Sequence, residues 1–133
     1  MMRDRRAEHV WLTLLRRGEA STPDEVARVA GLEPLGRAWI TVDQDRAQAF
    51  LTAILHRDLA YKSEVMPKHT ATWLASEFLA SCGKFNSKYA INSVDLPDEC
   101  PFTWTPATEY TLDAGVVVLG DDGCALYWVA DED

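Results

Sequence analysis

The sequence predicts an α+β fold, with N-terminal helices packed on a small antiparallel sheet and a C-terminal three-stranded meander. Three observations carry this. Apolar residues recur at helical spacing through most of the first 82 positions. β-Branched and aromatic residues crowd the last 26, and a Gly120-Asp121-Asp122-Gly123 turn joins two strand-like stretches there. Helices followed by a meander is the α+β order. At 133 residues the chain has the length of one domain, 1–133, which can bury a core without a metal or a disulfide.

Residues 5–17 read as a first helix. Ala7, Val10, Trp11, Leu14 and Leu15 form its stripe, Arg5, Arg6, Arg16 and Arg17 lie off it, and Gly18 ends it. A second helix starts at Thr22 as N-cap, with Pro23 at the first helical position and Glu25 completing a capping box, and stops at Gly31. Residues 37–42 favour a short strand through Trp39, Ile40 and Val42. Asp43 caps a third helix over 44–61, whose buried face is Ala47, Phe50, Leu51, Ile54 and Leu55. Pro67 opens a fourth over 67–82, lined by Ala71, Leu74, Ala75, Phe78, Leu79 and Cys82. Trp73 lies off that stripe beside Glu77, and its expected place is under the segment that follows.

That segment, 84–107, reads as irregular and held down by Phe85, Tyr89, Phe102 and Trp104. Strands are expected over 108–113, 115–119 and 124–129. Val116, Val118, Leu126 and Trp128 are placed on one face, and Val117, Leu119, Tyr127 and Val129 on the other. A strand pair apolar on both faces implies cover on each side, or one face kept for a partner.

Composition narrows the function. Apolar residues make up 47% and aromatic residues 10%, which excludes disorder. No apolar run approaches the ~20 residues of a membrane span. The N-terminus reads as a charged amphipathic stretch rather than a secretory leader, so the cytoplasm is the expected compartment. A pI near 4.8 disfavours direct nucleic-acid binding, which needs clustered Lys and Arg. Cys82, Cys100 and Cys124 are odd in number and widely spaced, which suits neither a disulfide framework nor a metal site. No metal or cofactor is expected. His9, His56 and His69 form no ligand or catalytic pattern, and neither G-x-S-x-G nor a Gly-rich phosphate loop occurs. Asp58, one turn beyond Ile54 and close to His56, is the one acid–base candidate; the plainer reading is a carboxylate paired with an arginine or at the edge of the stripe. The chain is expected not to be an enzyme.

Charge is the informative feature. Residues 1–68 carry a net +1 and residues 69–133 a net -9, with no Lys or Arg after Lys88. Unpaired carboxylates are too costly to bury, so these acids are expected on one surface around the sheet. Such a field attracts a basic partner, and aromatic residues among the acids supply anchors. The candidate partner-binding residues are Asp98, Glu99, Trp104, Glu109, Tyr110, Asp121, Asp122, Tyr127, Asp131 and Glu132. Solubility alone is the plainer use of such acids, and a Ca²⁺ or Mg²⁺ site would need a shaped ligand loop that the sequence lacks.

The ending Thr111–Leu119 followed by Ala125–Asp133 resembles the closing hairpin of small acidic bacterial immunity proteins. The resemblance implies a cytosolic, non-enzymatic inhibitor that occludes a cognate toxin. It fits the charge reading, in which the partner is a basic protein such as a toxin or another nucleic-acid-acting enzyme. The alternatives are a phage-type anti-defence protein that mimics DNA, and a regulator whose Thr22–Leu32 stretch resembles the front of a helix-turn-helix. Neither a membrane nor direct nucleic acid is an expected partner; whether a second copy of the chain joins through the apolar strands is left open by the sequence.

Overall fold

The computed structural model describes residues 9–83 and 86–132. Five strands form one antiparallel sheet: β1 His9–Arg16, β2 Ile40–Val42, β3 Lys88–Ile91, β4 Leu112–Leu119 and β5 Gly123–Asp131, in the order β1-β5-β4-β3-β2. Helices α1 Pro23–Ala30, α2 Gln44–His56 and α3 Lys68–Ala80 complete the α+β fold. Helices α2 and α3 cover one face, where Phe50, Leu51, Ile54 and Leu79 pack on Val116, Val118 and Val129. Helix α1 covers the other, where Val26 and Ala27 pack with Val117, Leu126 and Trp128. The sheet is therefore covered on both sides, as its two-faced apolar strands require.

The largest correction is at the start. The stretch read as a helix over 5–17 is strand β1 from His9, paired residue for residue with β5 from His9↔Ala130 to Arg16↔Gly123. Six consecutive residues, Val10 to Leu15, fit both a 3.6 and a 2.0 period apart from Thr13, and the ladder offered by β5 decides between them. Ala7, Phe85 and Asp133 lie outside the described residues. The capping box is present as read: Thr22 Oγ1 accepts from Glu25 N–H, and Glu25 accepts from the Thr22 N–H at 3.1 Å. Gly31 closes α1 at φ 86°, a left-handed conformation that a side chain would strain.

Other boundaries move. Residues Gly36–Ala38 form a 3-10 turn and only Ile40–Val42 is strand. Helix α2 ends at His56, because the chain turns at Asp58, whose carboxylate accepts the Tyr61 and Ser63 N–H groups. Strand β3, inside the segment read as irregular, pairs with both β2 and β4. No strand covers Thr108–Thr111; β4 begins at Leu112. The faces also differ from expectation. Register pairs Val116 with Tyr127 and Val117 with Leu126, so Val116 and Val118 share a face with Tyr127 and Val129. Directly opposed residues share a face, so the turn length and not the alternation fixes the pairing. Trp73 is 62% exposed instead of covered.

Gly115 is opposite Trp128, and a Cβ there would sit 2.2 Å from the indole. The missing side chain lets Trp128 lie flat across β4, fully buried and edge-on to Trp39 at 5.7 Å.

Candidate functional site

The acids of the back half divide between the two ends of the sheet. Asp121 and Asp122 occupy the β4–β5 turn, where the Asp122 N–H donates to the Cys82 carbonyl at the end of α3. Arg16 pairs in register with Gly123 and Lys88 with Leu119, so these acids share their end with cations. Glu109 and Glu132 lie at the other end of β4, seven residue steps or about 23 Å away. The expected single acidic surface is therefore two separated patches.

Asp131 leaves the set altogether. It is 1% exposed, and its Oδ2 accepts the Leu59 and Ala60 N–H groups at 2.7 and 3.2 Å. Its partner-binding assignment is corrected: a carboxylate at the end of a central strand is used to tie down the turn after α2. Tyr127 is also apart from the acids. It is half-buried between α3 and β1, with its ring against Phe78 at 6.2 Å.

What remains is an aromatic and acidic end built on a pinned loop. Asp113, fully buried, accepts from five donors: Asn92 Nδ2, Ala107 N–H, Thr108 N–H, Thr108 Oγ1 and the Trp128 indole. Asn92 also donates to the Thr105 carbonyl at 3.0 Å and accepts the Gly115 N–H at 3.3 Å. Burial pushes the Asp113 carboxyl above its ordinary range, and the Thr108, Ala107 and Trp128 donors oppose that. Further out, Ser93 Oγ donates to the Thr103 carbonyl, and Asp95 accepts both the Thr103 N–H and its hydroxyl at 2.8 and 2.7 Å. The Thr103 donors hold the Asp95 carboxyl below the usual range. A long segment with little regular structure is thus fixed from beneath by buried side chains.

The rings of the loop are half-buried, with Phe102 against the core at 6.4 Å from Phe50. Phe102 and Trp104 stack at 5.2 Å, with Lys62 Nζ 5.9 Å from the Phe102 ring centre and bonded to the Pro97 carbonyl. Tyr110 stacks on His9 at 4.1 Å. Phe102, Trp104, Pro106, Thr108, Glu109 and Tyr110 line one shallow recess. Glu132 borders it by accepting the Thr111 N–H at 3.0 Å, and Asp98 and Glu99 are exposed in the loop that carries Pro97. Of the candidate residues, Trp104, Glu109, Tyr110 and Glu132 come together, with Asp98 and Glu99 on the adjoining loop.

Other chemistry-bearing groups bind the chain's own backbone: His56 Nδ1 lies 2.8 Å from the Met66 carbonyl, and the Asp58 carboxylate accepts the Tyr61 and Ser63 N–H groups. Burial raises the thiols of Cys82 and Cys124, which keeps both protonated. Among the described residues no group of three metal-ligating side chains converges, and no helix is long and apolar enough to cross a membrane. Helix α1 follows a strand, so the helix-turn-helix arrangement is absent from the described residues.

Sequence reasoning missed two features. The Asn92–Asp113 network was signalled only by an acid opening an apolar run, Leu112-Asp113-Ala114-Gly115-Val116. The open apolar edge of β1 was signalled by Val10, Leu12 and Leu14 alternating with Trp11, Thr13 and Leu15. Comparison with protein-family models, curated proteins and solved structures finds no match to this chain.

Proposed function

We propose that the protein is a binding module that presents its aromatic and acidic end to a basic protein, acting as an inhibitor of the immunity type. The observation that carries this is the convergence of Phe102, Trp104 and Tyr110 with Glu109 and Glu132 around one recess on a loop pinned by Asp113. Rigid rings lose little entropy when they dock, and rim carboxylates steer a cationic surface to them. The recess fits an arginine-rich surface, since a guanidinium stacks on an aromatic face and pairs with a carboxylate. DNA mimicry is less well supported, because carboxylates split between two ends do not trace a phosphate backbone.

The test is affinity capture from host extract with the full chain as bait. Glu109→Lys and Trp104→Ala should each lose the captured basic protein, and capture should weaken steeply as salt rises. Asp121→Lys with Asp122→Lys should retain it. Equal capture by all variants would remove this end of the molecule from the interaction.

A further inference from the structure

We propose that the partner enters with two arginine side chains, one on each side of Tyr110, because the acidic end holds a second recess built like the first. This rests on the acidic end being the binding surface, and it specifies what that surface grips.

The two recesses share a wall. Thr108, Glu109 and Tyr110 line the recess that holds Phe102 and Trp104, and the same three residues line a neighbour that holds Trp11, Leu32 and Glu33. Their volumes are about 520 and 420 Å³. Each combines a half-buried indole with an exposed carboxylate: Trp104 with Glu109 in one, Trp11 with Glu33 in the other. Among the described residues no Lys or Arg lines either recess. Strand β1 supplies Trp11, the turn after α1 supplies Glu33, and the segment before β4 supplies the wall.

The wall is fixed from beneath. Asp113 Oδ2 accepts the Ala107 and Thr108 N–H groups at 3.0 Å each, and the Ala107 carbonyl accepts the Glu33 N–H at 2.9 Å. One buried carboxylate therefore holds the backbone of Glu33 and the shared wall together. His9 stacks on Tyr110 at 4.1 Å and props its ring. Two recesses at a constant separation select a ligand by the spacing of two groups as well as by their charge.

The occupant follows from the lining. An indole face attracts a cation, and a carboxylate beside it favours a planar guanidinium, which stacks and pairs at once. The recess at Trp11 also lies at the carbonyl end of α1, marked by Gly31, where the helix dipole favours positive charge. The protein already uses one ring of this surface in that way, with Lys62 Nζ 5.9 Å from the Phe102 ring centre. A single arginine would engage one indole and one carboxylate; two that straddle Tyr110 engage both sets.

The probes are acetyl-arginine amide and peptides of two arginines separated by one to four glycines, titrated into the isotope-labelled full chain. The indole N–H resonances of Trp11 and Trp104, assigned with Trp11→Phe and Trp104→Phe, report the two recesses separately. The best-spaced peptide should shift both resonances with one dissociation constant, roughly 10-fold or more below that of acetyl-arginine amide, since the second contact becomes intramolecular. Lysine in place of both arginines should bind more weakly, and equal binding would overturn the choice of arginine. Glu33→Gln, a change at an exposed position, should return the peptide to the affinity of the single arginine and leave the Trp104 shift in place. A response from Trp104 alone, or a peptide affinity that Glu33→Gln leaves unchanged, would overturn the second recess and leave the acidic-end reading standing. If neither indole moves, the two-arginine inference falls, whereas the acidic-end reading falls only when Glu109→Lys and Trp104→Ala keep the captured protein.

Discussion

Replacing Asp113 by Asn tests whether the loop is held by a carboxylate in particular. Oδ2 of Asp113 accepts Thr108 Oγ1 at 2.7 Å and the Ala107 and Thr108 N–H groups at 3.0 Å. Oδ1 accepts Asn92 Nδ2 at 3.1 Å and Trp128 Nε1 at 3.3 Å. An amide must turn an NH2 group towards one of these sets. With nitrogen at the Oδ1 place, the Trp128 indole loses its acceptor and the new amide N–H faces only donors, while Asn92 Nδ2 keeps the Thr105 and Asp113 carbonyls. A buried donor left unmade costs about 1–3 kcal/mol, so the pair costs about 2–6. Relief of burying a charge returns part of this, and we expect a net loss of about 3 kcal/mol. Urea unfolding at neutral pH should then move its midpoint down by about 2 M, for a slope of about 1.5 kcal/mol/M. Asp131→Asn is the internal comparison. Only Oδ2 of Asp131 accepts bonds, and its buried Oδ1 has no partner. An amide nitrogen at that Oδ1 orphans nothing new, so the change should stay within about 1 kcal/mol. The reasoning fails if Asp113→Asn costs no more than Asp131→Asn.

Gly115→Ala should destabilise by about 3 kcal/mol or more, because its Cβ would lie 2.2 Å from the Trp128 ring; thermal unfolding checks this, and a melting temperature within a degree of the parent would contradict it. Cys100 should be alkylated within minutes in the folded protein, whereas Cys82 and Cys124 should react only at the rate of unfolding, as read by mass spectrometry. The Trp39 indole, followed by the Gly36 N–H, holds the Asp24 carboxyl below its ordinary value. A lowered folded-state pKa contributes stability that is present above the unfolded value near 3.9 and is lost as pH falls through the folded one. Asp24→Asn should therefore flatten the acid limb of the stability curve below about pH 4; an unchanged limb would assign it to other carboxylates.

The class of fold was legible because α1, α2 and α3 each announce themselves locally. Thr22 and Glu25 close a capping box, Asp43 caps α2, and both helices α2 and α3 show apolar faces at the right period. What failed was decided by partners distant in sequence. Nothing between His9 and Arg16 says that β5 waits more than 100 residues later, so a six-residue apolar run was assigned the wrong period. Strand β3 is four residues long and gains its identity from two neighbours. The candidate site was half legible. Trp104, Glu109, Tyr110 and Glu132 do gather, but composition carries no direction. It could not separate Asp121 from Glu109 by the length of a strand, nor tell Asp131, which binds backbone amides inside, from Glu132 beside it.

The division of charge between the tips of the ladder has a mechanical consequence. Asp121 and Asp122 are partly offset by Arg16 and Lys88 at their tip, so the two tips present fields of unequal strength. A charged surface approaching from solution is turned by that inequality. Orientation is thus selected in the diffusive encounter, before any side chain touches, and dissolved salt should blur that selection.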